Sequence, residues 1–599
     1  MKTLDLDTIT GPKEMLAVAI STQYQNWRQA RKNWEEEKQE LRNFVFATDT
    51  TKTNVSSTTP WKNKTTLPKL CQLRDNLHAN YMAALFPSEY WFDWEPQTEE
   101  SDDAEKARVV KAYIRNKLRQ SNFREEVSRL VYDYIDYGNA FAEVVFEDKI
   151  HTDAEGNVFS VYRGPRLKRI SPLDIVFDLT APSFQEAPKI TRTFTTLGTL
   201  AKRIKAAPED SAWIQAGWNK LRECRGHAQG TDQHDRLKAE SYKIDGFGNL
   251  LDYYRSNTVE LLEFEGDIYD VEKDTLYENY RIIVADRSYV LLMEPIRSWF
   301  GTSNKHHTGW RLRPDTLLAM GPLDNLVGVQ YRVDHLENLR ADVFDQIATP
   351  VVYQKGYVEE WEWGPGEKIY GDTESNVEIL RPDSTALQAD FQIDKYLAIM
   401  EEMAGAPKQA MGIRTPGEKT AFEVQTLENA SGRIFQNKVQ HFEQTFLEPL
   451  LNSMLESARR NLNEAEAARV LDPDTGVEEF INVSPEDIKA KGKLYPMGAR
   501  HFAKKAQAMQ NLMGIINSPL YADELVKVHF SSKELASLIE ELLQFEEFDL
   551  VRPFVRIAEQ KEFASMNQVA QDQAVMEATS SPDLQSLPPN AAQGLSEVQ

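Results

Sequence analysis

Residues 321–350, GPLDNLVGVQYRVDHLENLRADVFDQIATP, form the most regular stretch of the chain. Leu326, Val329, Val333, Leu336, Leu339, Val343 and Ile347 recur three or four residues apart, which puts them on one stripe of an α-helix. Proline in the first turn opens such a helix and a second proline closes it, so the pattern predicts a helix from Pro322 to about Ile347 that ends before Pro350. Asp324, Arg332, Asp334, Glu337, Asp342 and Asp345 fall largely on its other faces. At about 1.5 Å per residue the helix would span roughly 40 Å, long for an element of a compact domain. A stripe of that length asks for neighbours.

Upstream, an amphipathic helix is expected over 13–45, with Leu16, Ile20, Tyr24, Trp27 and Trp34 at helical spacing, followed by a Thr/Ser-rich loop from Thr48 to Pro60. Further helices are expected from Leu67 to Leu85, stopped by Pro87, from Asp103 to Arg119 and from Asn122 to Tyr137, closed by Gly138. From Ala140 the period changes to two and predicts a strand, with more β-structure at Ile175 to Phe177. Residues 194–223 return to a helical pattern with a break near Pro208. Short β-runs over 240–320, among them Thr258 to Phe264, Asn279 to Ala285 and Tyr289 to Met293, read as a small, mostly β domain.

Downstream, 351–383 mixes strand and turn, and a helix is expected from Asp390 to Ala404. Three glycines and two prolines make 405–417 a loop. Thr420 to Leu462 is helical in pattern, with bends expected at Gly432 or Pro449. Residues 484–560 are helix-rich, and the Gln, Ala, Ser and Pro composition beyond Lys561 predicts a disordered tail. The fold class is α+β. The apolar stretches are far too short to cross a bilayer, and the opening residues do not form a secretory signal.

The chain has 599 residues, 41% of them apolar, enough for more than one packed unit. Its formal charge of -24 argues against a protein that grips nucleic acid over its whole surface, because phosphate binding is driven by Lys and Arg. Any DNA contact must be local. Two cysteines, Cys71 and Cys224, make no disulfide framework and fit a reducing compartment.

Catalytic and metal signals are weak. Gly412 to Thr420 approaches a phosphate-binding loop, but Glu418 displaces Lys419 and Thr420 from the required spacing. Cys224, His227 and His234, and the adjacent His306 and His307, match no zinc pattern and read as surface polar residues, so no metal and no cofactor is expected. No Ser lies in a nucleophile elbow and no carboxylate pair stands apart, so no enzymatic activity is expected. The aromatic run from Phe86 to Trp94 reads as a strand wedged into a core in preference to a docking surface.

Four segments together resemble the portal proteins of short-tailed double-stranded DNA phages. They are Arg74-Asp75-Asn76-Leu77-His78-Ala79-Asn80-Tyr81-Met82-Ala83-Ala84-Leu85-Phe86-Pro87, Tyr137-Gly138-Asn139-Ala140, Gly321-Pro322-Leu323 opening the long helix, and Arg414-Thr415-Pro416-Gly417-Glu418-Lys419-Thr420-Ala421-Phe422-Glu423-Val424 with the helix ending near Leu447-Glu448-Pro449-Leu450. The order and spacing of these matches cover roughly 65–460.

The resemblance implies a portal fold assembling as a dodecameric ring. Its parts would be an N-terminal wing region over 1–200, stem entry and β-rich clip over 201–320, and a stem helix over 321–350. Further wing would follow over 351–407, a tunnel loop over 408–420, a long kinked wing helix over 421–482, a helical crown over 483–560 and the tail over 561–599. It also implies stem packing between subunits through Leu326, Val329, Val333, Leu336, Val343 and Ile347, and contact of Arg414 and Lys419 with DNA in the channel. The implied partners are double-stranded DNA, the terminase, the major capsid or scaffold protein and a tail adaptor, with no membrane. The place would be the portal vertex of the virion, reached from the host cytoplasm. Another virion ring, such as a tail adaptor or internal ejection protein, is the alternative.

Overall fold

In a computed structural model of the protein, the described residues are 13–46, 63–87, 91–97, 104–152, 158–206, 212–227, 258–270, 274–296, 298, 303–361, 368–380, 388–404, 434–462, 466–471, 478–489 and 491–497. The chain divides into two compact units, 1–468 with 481–500 and 469–480 with 501–599. The elements below belong to the first.

The first expected helix is two, α1 (Lys13–Ala30) and α2 (Lys32–Phe46), which turn at Arg31. Arg31 is 3% exposed, and its guanidinium donates to the carbonyls of Pro172 (3.0 Å), Leu173 (2.7 Å) and Ile175. The break lets the two halves serve different cores. Leu16, Ala17, Ile20 and Tyr24 enter one, while Leu41, Phe44 and Val45 enter another.

Next come α3 (Lys69–Leu85), strand β1 (Phe92–Pro96), α4 (Ala104–Gln120) and α5 (Phe123–Asp136). Trp91, Phe92 and Trp94 are buried, as expected of a strand wedged into a core. Gly138 then carries the chain from α5 into β2 (Asn139–Thr152), followed by β3 (Val158–Ile170) and β4 (Ile175–Phe177). The helix expected from 194 starts later. Strand β5 (Lys189–Thr196) keeps its register with the following strand to Thr196↔Thr258, and only then do α6 (Leu197–Ala206) and α7 (Gln215–His227) form.

Strands β6 (Thr258–Asp270), β7 (Thr275–Ala285) and β8 (Tyr289–Pro295) complete an antiparallel sheet of order β4-β5-β6-β7-β8. Leu262, Phe264, Ile282 and Val284 face α1, whereas Val259, Leu261, Ile283 and Ala285 join Leu200 of α6 and Leu221 of α7. Period-two alternation thus gives the sheet a core on each face. The β-runs of 240–320 are therefore not a self-contained small domain. Three extend a sheet begun before residue 200, and β9 (Lys305–Gly309) joins β2 as an edge of the sheet β3-β2-β9.

The hairpin β10 (Arg311–Arg313) and β11 (Thr316–Met320) leads into a short 3-10 turn, Asp324–Leu326, and the long helix α8 (Val327–Ala348). Strands β12 (Val351–Lys355) and β13 (Asn376–Leu380) pair with each other alone, and α9 (Asp390–Met403) follows. The bend expected near Pro449 is a π-helical turn, Glu443–Leu447, directly before α10 (Glu448–Asn461). Proline has no N–H for the α-helical bond, and the wider turn accommodates that loss. The Gly432 bend lies outside the described residues. Strand β14 (Gly492–Pro496) pairs with β1.

Candidate functional site

Segments far apart in sequence meet where α5, β2 and α8 begin or end. Gly138 adopts φ +71° and lies against Gly321, so that a Cβ on Gly138 would stand 2.3 Å from the Gly321 nitrogen. Only a residue without a side chain fits there. Next to it, buried Asn139 bonds its amide to the carbonyls of Tyr137 (2.9 Å) and Ala319 (2.9 Å), and its Oδ1 accepts the Ala319 N–H (3.0 Å). Asp324 accepts the N–H of Gly321 (2.8 Å) and is held by the buried ammonium of Lys38. From α3, Arg74 makes a two-pronged pair with Asp136 (2.7 and 2.9 Å), and the Tyr81 hydroxyl accepts the Trp310 indole N–H (3.0 Å). The origin of α8 is thereby tied to α2, α3, α5 and β2.

Along α8 polar residues off the apolar stripe hold a neighbouring segment. Gln330, Asp334, Asn338 and Asp342 are four apart, a rise of about 6 Å each, while every second residue of an extended chain advances about 6.6 Å. The two spacings match closely enough for the helix to hold residues 63–67 rung by rung. Leu67 donates its N–H to Asp334 (3.0 Å) and receives Gln330 on its carbonyl (2.7 Å), Thr65 meets Asn338 through both backbone groups (2.7 and 2.8 Å), and Asn63 donates its N–H to Asp342 (2.7 Å). Burial, the leading effect, lifts the Asp334 carboxyl to about 6 despite these bonds.

The apolar stripe of α8 divides. Leu326, Val333 and Leu336 are buried in the core of their own chain, with Val329 packed against it, so the expected use of the first three between subunits is corrected: their own chain already covers them. Val343 and Ile347 are half-buried. Beyond Leu336 the character changes: Leu339, Phe344, Val351, Tyr353, Tyr357, Tyr370, Leu380 and Phe391 are all exposed, Phe344 by 62% and Phe391 by 80%. The far end of α8, the β12–β13 hairpin and α9 thus form a projection with an apolar surface far richer than a solvated face needs. A lone two-stranded hairpin is marginal in water, so its stability must come from beyond its own two strands.

Residues 17–163, about a quarter of the chain, match the family model of the bacteriophage head to tail connecting protein. Over this region the chain is similar to that family, which supports a portal or connector protein of a phage. No curated protein matches it. The matched region includes the Arg74 to Pro87 and Tyr137 to Ala140 segments and ends within β3. The second of these meets the Gly321-Pro322-Leu323 segment through Gly138 and Gly321, and the first is tied beside it through Arg74 to Asp136 and through Tyr81 to Trp310. The fourth segment, with Arg414 and Lys419, lies outside the described residues, as do the Thr48 to Pro60 loop, His234 and everything assigned to 498–599. No helix among the described residues is long and apolar enough to cross a membrane.

The protein also contains a buried ionic layer that sequence reading missed. Glu143 of β2 and Glu263 and Glu265 of β6 bring their carboxylates within 4.8 Å of one another. Lys305 of β9, with no exposed surface, donates to Glu263 (3.0 Å) and Glu265 (2.8 Å), and Arg281 makes a two-pronged pair with Glu263 (3.0 and 3.1 Å). The Lys305 ammonium already fills the centre where a cation would sit. The neighbouring His306 and His307 are not surface polar residues as expected. His306 is buried with its pKa pushed down to about 4, and His307 is stacked on Phe141 (4.6 Å), bonded to Asn139 (3.0 Å) and pushed down to about 3. Burial is the leading cause for both, followed by the charge of Lys189. The missed signal was the alternation of acids in β6 with a lysine in β9.

The polar ladder of α8 yields a sharp expectation. Asn338→Ala removes the partner of both backbone groups of the exposed Thr65 and should cost about 0.5–1.5 kcal/mol in urea unfolding. Asp334→Asn keeps an acceptor for Leu67 and removes a charge that burial penalises. The folded pKa of Asp334 lies above its unfolded value, so the wild type gains stability from this group as pH falls through about 6 and loses it as pH rises. The wild-type minus Asp334→Asn difference should therefore rise between pH 8 and pH 5; a flat difference would contradict the assignment.

Proposed function

We propose that copies of this connector close into a ring of about twelve subunits at one capsid vertex, forming the conduit through which double-stranded DNA is packaged and ejected. The observation that carries the reading is the projection built from α8, β12, β13 and α9, whose apolar surface no part of the described chain covers, on a protein similar to the head-to-tail connector family. Closed rings of identical subunits cover such surfaces without leaving an open end. The terminase during packaging, a capsid or scaffold protein, and a tail adaptor afterwards are the partners this role requires. The role is structural and mechanical, without hydrolysis by this chain, and it places the protein in the virion after assembly in the host cytoplasm.

This reading redistributes the subdomains. Because β6, β7 and β8 are packed on both faces, the outward-pointing clip fits the exposed β12–β13 hairpin better than the expected 201–320, with α8 and α9 as the stem on either side. The tunnel-loop role of 408–420 is retained as part of the proposal.

Phe344→Asp with Phe391→Asp tests the projection. The pair should abolish rings in sedimentation velocity and leave circular dichroism and melting of the monomer unchanged, because both side chains are mostly in water within one chain. Full assembly by the double variant would show that this surface is not the subunit contact.

A further inference from the structure

We propose that Arg311, Arg313 and Lys438 form a phosphate-contacting site for duplex DNA, distinct from Arg414 and Lys419; the proposal rests on the conduit reading above. Arg311 and Arg313 are exposed on the short β10 strand immediately after Trp310. The Trp310 ring has the Arg311 guanidinium carbon 5.0 Å and the Lys438 ammonium 4.9 Å from its centre. Lys438 also donates to the Trp310 carbonyl, which anchors it beside Arg311. Trp310 is itself buried and fixed through Tyr81, so the two cations are held on a rigid platform.

None of the three cations forms an ion pair with an acidic side chain among the described residues, in a chain whose formal charge is -24. Several exposed or half-buried arginines elsewhere are paired, as Arg129 is with Glu125, Arg166 with Glu147 and Arg340 with Glu337. Like charges gathered on one ring repel, and a polyanion is the partner that turns this repulsion into attraction. Planar guanidinium groups suit phosphate oxygens, whereas an ammonium serves as a point charge. Position adds to the argument. β10 and β11 form the hairpin that leads directly into α8, and Lys438 follows 408–420 in the chain, so the cluster is close in sequence to the segments that the conduit reading assigns to the channel.

The test uses the purified full chain and a short fluorescein-labelled duplex, with anisotropy measured over a series of salt concentrations. For Arg311→Gln with Arg313→Gln, the slope of log affinity against log salt should fall in magnitude by about 1–2, since each phosphate contact contributes about 0.9. Lys438→Gln should lower it further. Arg414→Gln with Lys419→Gln serves as the separate arm. Unchanged slopes in the Arg311 and Arg313 variant, alongside weakened binding by the Arg414 and Lys419 variant, would overturn the proposal and leave the conduit reading standing. Loss of rings with no change in DNA affinity would also overturn it and reassign the cluster to an acidic surface of a second copy. Absence of rings in the wild type would count against the conduit itself.

Discussion

Lys305→Met should destabilise the chain by about 3–5 kcal/mol, the cost of leaving buried charges without their partner. Lys305 has no exposed surface and its ammonium lies within 3.0 Å of carboxylate oxygens of both Glu263 and Glu265. Burial opposes ionisation of Glu263, yet Lys305 and then Arg281 outweigh it and hold the group below the usual carboxylate range. Glu143 is held above that range, first by burial and then by the charge of Glu263. Without Lys305 the Glu143 carboxyl, already above its unfolded value, should titrate higher still, and Glu263 should lose its largest stabilising charge. The loss should then be largest near pH 8 and shrink towards pH 5 as a carboxyl takes up a proton. Adding Glu265→Gln to Lys305→Met should recover part of the loss, because groups in one network are not additive. Chemical denaturation of the three proteins at the two pH values measures this. A Lys305→Met variant within 1 kcal/mol of wild type at pH 8 would show that the ionic layer is not needed.

Gly138→Ala should be at least as damaging, by about 3 kcal/mol or more, and should lower the yield of soluble protein. Two independent effects add. The backbone angle of +71° is unfavourable for any residue with a side chain, and the new carbon would stand 2.3 Å from the Gly321 nitrogen and 2.5 Å from the Met320 carbonyl carbon. Backbone cannot step aside as a flexible side chain can. Gly321→Ala is the natural comparison, since its Cβ would meet the Ile135 carbonyl oxygen at 2.9 Å and its backbone angle is not left-handed. It should be milder. Thermal melts of the two variants in parallel decide the matter, and equal, small losses would rule out the junction as a constraint on where α8 starts.

Local signals located most of the elements. Helix ends at Pro87 and Gly138, and the change to period two after Ala140, are written in single residues and survive in the structure because no distant contact competes with them. Partnerships were harder to see. Nothing near Arg31 announces a break, since the break is held by carbonyls of Pro172, Leu173 and Ile175, over a hundred residues away. Strand β5 runs on to Thr196 because β6 lends it a ladder that the local sequence does not contain.

The same distinction explains the site. The stripe of α8 was legible, but periodicity reports only that Leu326, Val333 and Leu336 are covered, not whether the cover is the same chain or another copy. Their burial within one chain decides that for these three. The role of the acids on the other faces was not legible because the segment they hold, 63–67, has no periodic signal of its own. His306 and His307 looked exposed for the same reason: their neighbours Phe141, Phe184 and Lys189 come from other strands and loops. The apolar surface around Phe344 and Phe391 emerges only when burial is known, as it is the unburied remainder that marks it.

The most direct test of the central claim is negative-stain imaging of the purified full chain, with its mass measured at the same concentrations. The account predicts closed rings with an open central channel and a mass near twelve subunits. A monomer that stays monomeric at high concentration and in the presence of capsid and scaffold proteins would contradict it.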